Sequence, residues 1–248
     1  MKILSVFPIY LAYCSFFSVI IPLLFLLWNG KHNLKSPVLR ALGLLLFIAF
    51  CSDLSSYVLG KTGRSSTVVL NSYFIVQFFL LNYIYYLFLK NRTLAYAVFI
   101  LFTGFAIINI LFIQPFNEYQ SWLRVVGGII FIYYSILYYI QDFKVKSTKI
   151  PITNEISVQN LQESRKLYES IFNPATWSGL WINTAVFFYF SMNFSLFIMN
   201  NYIFKNEAPE IGMLYWSFHN FNNSIKNILF AVAIYQAGRK AVYSWSNE

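Results

Sequence analysis

Charged residues are scarce in this sequence: Asp, Glu, Lys and Arg together make up only 11% of its 248 residues. Soluble domains carry about a quarter charged residues, so the composition excludes an ordinary soluble domain. Cysteine is equally rare. Cys14 and Cys51 both fall in apolar runs, which indicates free buried thiols rather than a disulfide framework.

Sequence motifs for catalysis are also missing. The chain contains no HExxH, no CxxC, no nucleophile elbow and no glycine-rich phosphate loop. A metal site needs several His, Cys or carboxylate ligands together, and the apolar segments offer only Asp53, His219 and the two cysteines. We therefore predict no metal, no cofactor and no enzymatic activity, with intramembrane catalysis as a less favoured alternative.

Hydrophobic residues, in contrast, make up 58% of the chain and come in unbroken runs. Roughly 20 apolar residues cross the hydrocarbon core of a bilayer, and lipid forces such segments to be helical because the backbone must satisfy its own hydrogen bonds. The sequence thus predicts an all-α polytopic membrane protein, a bundle of seven transmembrane helices that forms a single domain over residues 1–248. The predicted spans are about 7–28, 39–59, 68–89, 94–114, 121–141, 176–203 and 211–237.

Two local features bear on the shape of these spans. Pro22 lies inside the first span and is expected to bend it, because proline cannot donate a helix hydrogen bond. Gly127 and Gly128 lie in the fifth span. They indicate either a close approach of two helices or mere local flexibility.

The net charge of +9 is explained better by membrane topology than by a nucleic-acid partner, since no basic stripe is interleaved with aromatic residues on a soluble face. Twelve Lys and Arg residues fall in the connections after spans 1, 3 and 5 and at the C-terminus, against five on the other side. The positive-inside rule then places the N-terminus outside and the C-terminus in the cytoplasm. The five are Lys2, Lys61, Arg64, Arg124 and Lys205, and Lys226 lies inside span 7.

The only long connection, residues 142–175, is cytoplasmic in this scheme. Leu161, Leu167, Tyr168 and Ile171 fall near one helical face. This spacing indicates either a short amphipathic helix on the membrane surface or on a partner, or a solvated connector.

A stripe of polar residues interrupts the last span. His219, Asn220, Asn223, Lys226 and Asn227 recur at spacings of three and four, which puts them on one helix face. Such a face is expected to point to protein or water, with Phe218, Phe221 and Ile225 toward lipid.

Asp53 is the lone acid of span 2, and it lies at about the same depth as His219, with Lys226 two turns further in. Intramembrane charges are costly and commonly functional, so we predict that Asp53 pairs with His219 or with Lys226. Amides on neighbouring spans, notably Gln77 and Asn193, complete the predicted polar pocket. The alternative is that these amides only hold the helices together.

The last two spans carry a resemblance to a known family. The motifs are Asn173-Pro174-Ala175-Thr176-Trp177, the run WINTAVFFYFS from Trp181, and WSFHN with IKNILFAVAI in span 7. Over about 65 residues they resemble the end of the seven-helix sensor modules that precede bacterial histidine kinases. The resemblance implies a signal-receiving membrane protein. Because this chain ends about ten residues beyond the last span, it also implies output through a separate protein.

The leading hypothesis is therefore a receptor-like or accessory protein of the bacterial inner membrane. It would sense a ligand or partner through the polar pocket and signal through residues 142–175 and the C-terminal tail. A small solute or proton-coupled transporter is the first alternative, although no Pro-Gln motif of the sugar-exporting carriers occurs. A structural subunit of a membrane complex is the second.

Overall fold

The computed structural model describes residues 2–28, 30–147 and 174–245, and within these ranges helices are joined by short connections, without strands. The described residues form nine α-helices, and a π-helical segment, Asn109–Ile113, extends the sixth. The helices are α1 (Lys2–Ser18), α2 (Ile20–Trp28), α3 (Gly30–Asn33), α4 (Pro37–Lys61), α5 (Thr67–Phe88), α6 (Arg92–Ile108), α7 (Ser121–Ser147), α8 (Pro174–Asn206) and α9 (Pro209–Trp245).

Six helical segments of this part of the chain are long and apolar enough to cross a membrane, which confirms the all-helical prediction and indicates a multi-pass membrane protein. Their mean hydropathy ranges from 1.4 to 2.4 over 18-residue windows. The segments are Phe7–Trp28, Pro37–Lys61, Thr67–Phe88, Arg92–Ile113, Ser121–Lys144 and Trp177–Ile203.

The seventh predicted span lies within α9, which at 37 residues is the longest helix described. It is not among the six apolar segments, because the polar stripe lowers its hydropathy below theirs. The predicted amphipathic segment at 159–172 lies outside the described residues.

The first span is broken rather than smoothly bent. α1 ends at Ser18 and α2 begins at Ile20, so the discontinuity lies at Val19, one turn before Pro22. Proline has no N–H to give to the carbonyl four residues earlier, here that of Ser18, and its ring clashes with that carbonyl. The break therefore has the predicted cause, displaced by one turn toward the N-terminus.

The helices pack unevenly around one core. α9 lies along α8 and also packs on α1 and α2, while α7 packs on α8. α4 packs chiefly on α5 and touches α1 only slightly. A gap is therefore left between the α4–α5 pair and the α1–α9 pair.

Buried hydrogen bonds join the helices on the other side of the bundle. The Tyr85 hydroxyl lies 2.7 Å from Ser135 Oγ and donates to Asn183 Oδ1 at 2.8 Å, and Asn183 Nδ2 donates to the Ser135 carbonyl. Tyr134 donates to Asn82, whose amide in turn donates to the backbone. These two asparagines hold helices together and do not line the gap.

The two neighbouring glycines of α7 have different surroundings. A Cβ at Gly127 would lie 2.9 Å from Phe74 Cζ and 3.4 Å from Phe78 Cδ2 on α5. A Cβ at Gly128 would make only ordinary contacts, the nearest 3.7 Å from Phe190 and Phe194. Close helix approach thus applies to Gly127 and not to Gly128.

Candidate functional site

The gap between the two helix pairs is a cavity of about 1110 Å³. It lies near the end of the bundle that carries the connections 62–66, 114–120 and 207–208. Its walls come from α1 and the break after it (residues 8–19), α4 (49–57), the start of α5, the connection 117–119 and α9 (212–227), with one residue from α7 and three from α8. Chain segments far apart in sequence therefore meet around one space.

The predicted site residues divide into two groups. Asp53, His219, Asn220, Asn223 and Asn227 line the cavity. The other three are buried and do not line it: Asn193 and Lys226 lie behind its wall, and Gln77 lies on α5.

His219 is held in an aromatic and amide environment. Its Nδ1 lies 3.1 Å from Asn193 Oδ1, which also accepts a hydrogen bond from Asn222 Nδ2 at 3.4 Å. Its ring stacks on Trp216, with centroids 4.7 Å apart. The predicted polar stripe thus fixes α9 against α8 through Asn193.

Two asparagines of the stripe bind α1 instead. Asn223 Nδ2 donates to Ser15 Oγ and Asn227 Nδ2 donates to Ser18 Oγ, both at 2.8 Å. The two acceptors lie one turn apart on α1, as the two donors do on α9. The stripe therefore joins the first and last described helices of the bundle.

Lys226 and Asp53 attract each other electrostatically. Lys226 is only 5% exposed, and its ammonium lies over the Tyr189 ring, 4.4 Å from the centroid. Among the described residues, no hydrogen bond or ion pair within 4.0 Å joins Asp53 to Lys226 or to His219. Of the two predicted partners, Lys226 is therefore the one whose charge acts on Asp53, across a distance rather than in contact.

Arg124 is the principal cavity residue that the sequence did not reveal. It is 5% exposed, and its guanidinium lies 4.8 Å from the Phe74 ring centroid and 4.4 Å from that of Tyr119. Its Nη2 donates to the Leu70 carbonyl at 2.9 Å, while its Nε is buried without a hydrogen-bond partner. A cation with an unused donor thus lines the cavity.

The connection that carries Tyr119 is held in place by Asn71. Asn71 Nδ2 donates to the carbonyls of Phe116 and Glu118 at 2.9 and 2.7 Å, and its Oδ1 accepts from the Gln120 amide. Burial raises the pKa of the Tyr119 phenol, and the positive charge of nearby Arg124 offsets only part of this rise. Tyr119 therefore presents a neutral ring to the guanidinium.

Arg124 and the aromatic walls escaped prediction for separate reasons. Arg124 lies only three residues into an apolar run. A cation at such a position is typical of the charges that flank a span and fix its topology. Tyr119, Tyr189 and Trp216 are three among many aromatics in a chain with 19 tyrosines and six tryptophans. The depth of Arg124 inside the run was the one signal available.

The cavity lining includes one guanidinium, the acidic residues Asp53 and Glu118, several amides and aromatic faces. Among the described residues, no group of three or more His, Cys, Asp and Glu could hold a metal ion. No protein-family model, curated protein or solved structure matches the chain.

Proposed function

We propose that the chain is a receptor-like protein of a bacterial inner membrane that binds a ligand in this cavity and signals through a separate protein. The observation that carries the proposal is the cavity itself, which is lined by ionic groups of both signs and by aromatic rings. Convergent polar groups in a roomy cleft are typical of ligand sites. Intramembrane charges that line such a space are functional by default expectation.

The proposal includes a seventh membrane crossing by α9. Its polar stripe contacts α1 and α8, so the stripe faces protein. Phe218, Phe221 and Ile228 are exposed on the opposite surface. A helix with a buried polar face and an apolar outer face is suited to lipid.

Orientation follows from the distribution of Lys and Arg, which puts the N-terminus outside and the C-terminus in the cytoplasm. We expect a C-terminal green fluorescent protein fusion to fluoresce and a C-terminal alkaline phosphatase fusion to be inactive. A fusion after Phe116, in the connection predicted to lie outside, serves as the control with the opposite pattern. An active phosphatase at the C-terminus would reverse the topology.

Transmission is proposed to run along α8 and α9, which form the most extensive helix pair described. His219 on the cavity wall and Asn193 on α8 are hydrogen-bonded, so a ligand that shifts α9 also acts on α8. These helices lead to residues 142–175 and to the C-terminal tail, where the separate protein would bind.

The experiment that tests the proposal compares binding with transport. Purified protein is screened by thermal shift against metabolite fractions from the source culture, and the active fraction is then assayed for uptake into proteoliposomes. We expect saturable stabilisation that is weakened by Asn220→Ala, without accumulation inside the vesicles. Time-dependent accumulation would favour a transporter, and stabilisation by no fraction would favour a structural subunit.

A further inference from the structure

We propose that the cavity binds an amphiphile, with an anionic carboxylate or phosphate head at Arg124 and an apolar part between α1 and α4. The inference rests on the proposed function, in that it takes the cavity to be the ligand site, and it names the class of ligand. Two independent observations lead to it: the state of the Arg124 charge and the composition of one wall.

Arg124 lacks a counter-charge. A guanidinium has five N–H donors in a planar fork that matches carboxylate and phosphate. Of the described residues, only the Leu70 carbonyl accepts a hydrogen bond from it, and no carboxylate pairs with it. Asp53 also lines the cavity, and its carboxylate makes no ion pair with Arg124.

An isolated charge at this degree of burial is costly, and two aromatic rings offset the cost only in part. Arg124 lines the cavity, and its buried Nε has no hydrogen-bond partner in the protein. An anion in the cavity would supply the missing negative charge. A neutral or cationic ligand would not.

The wall between α1 and α4 has a different character. Ile9, Tyr13 and Phe17 recur every four residues on α1 and line the cavity, yet they are 54%, 46% and 58% exposed. Leu54 and Tyr57 on α4 also line it, with 43% and 49% exposed. Side chains that line the cavity and also lie on the bundle surface mark a lateral opening.

This opening is apolar, and α1 and α4 barely touch across it. Both helices belong to membrane-length apolar segments, so the opening faces acyl chains when these segments cross a bilayer. A small polar ion would leave this wall unused, while an uncharged lipid would leave Arg124 uncompensated. An anionic amphiphile would contact the apolar wall and also compensate the charge of Arg124.

The test uses the full chain in phosphatidylcholine nanodiscs, titrated with decanoate, 1-decanol, decyltrimethylammonium and inorganic phosphate. We expect decanoate to bind at least about tenfold more tightly than the other three, since it alone combines an anionic acceptor for the Arg124 guanidinium with an apolar tail. Arg124→Gln should abolish this preference, while Arg64→Gln, which removes an exposed charge elsewhere, should retain it.

A second variant keeps the test valid if Arg124→Gln does not fold. Ala12 is exposed and lines the lateral opening, so Ala12→Trp should fill the opening and abolish tight decanoate binding while the fold survives. Competition by phosphatidylglycerol in the nanodiscs would identify the source as a bilayer lipid. Undiminished binding would identify a free amphiphile, and either result supports the anionic head.

Equal binding of decanoate and 1-decanol, or binding of inorganic phosphate as tight as that of decanoate, would overturn the inference. So would decanoate binding that is unaffected by both variants. A receptor for a ligand of another class would fail this test and still be stabilised by a metabolite fraction, so the two failures are distinguishable.

Discussion

Asp53→Asn is expected to destabilise the wild-type protein and to have almost no effect in a Lys226→Met background. In the wild type the substitution leaves the buried ammonium of Lys226 with only the Tyr189 ring. Breaking a fully buried ion pair costs about 3–5 kcal/mol, and the half-buried position of Asp53 without direct contact reduces this to about 1–2 kcal/mol. Without the ammonium there is nothing for the carboxylate to compensate.

Lys226→Met alone should be neutral or slightly stabilising, because an apolar side chain of similar length replaces a buried charge. Asp53 then faces the cavity, where water can solvate it. Free energies of unfolding in one detergent, for the two single variants and the double variant, measure the coupling. Lys35→Met removes an exposed cation as the control, and an equal cost of Asp53→Asn in both backgrounds would show that the two charges are independent.

Gly127→Ala is expected to be less stable than Gly128→Ala by about 1–3 kcal/mol. The new methyl group would lie 2.9 Å from Phe74 Cζ at residue 127, against 3.7 Å from its nearest neighbours at residue 128. Phe74 cannot retreat readily, because its ring is 1% exposed and lies under the Arg124 guanidinium. Both variants replace glycine by alanine in one helix, so the gain in helix propensity cancels in the comparison.

Melting temperatures of the two purified variants, measured side by side, give the result. The displaced Phe74 ring should also move Arg124, so the Gly127 variant should bind decanoate less tightly than the Gly128 variant. Equal stabilities would mean that α5 and α7 have room to separate without loss.

The helices could be predicted from the sequence, because an apolar segment in lipid must satisfy its own backbone hydrogen bonds and therefore forms a helix. Six of the seven predicted spans appear as membrane-length apolar helices, and the seventh lies within α9. The break at Val19 was displaced from Pro22 because proline disturbs the turn before it. Periodicity also placed the stripe of α9 on one face, and this face is the one that contacts α1 and α8.

The cavity could not be predicted, because it depends on which helices fail to touch. Nothing in the sequence of α4 predicts that this helix packs on α5 and makes few contacts with α1. The sequence also could not predict which of these side chains contact each other. Asn193 and His219 were both predicted as site residues, but their contact depends on how α8 and α9 are rotated relative to each other. Arg124 was assigned to topology because a single sequence does not distinguish a flanking charge from a buried one.

The hydrogen bonds from Asn223 and Asn227 to Ser15 and Ser18 connect residues 208 and 209 positions apart. During synthesis the serines therefore leave the ribosome long before their partners exist. The cavity acquires the wall formed by α9 only after α9 has been synthesised, so a nascent chain that ends before α9 lacks this wall. Any product that stops before α9 also lacks the hydrogen bonds that join α1 to α9.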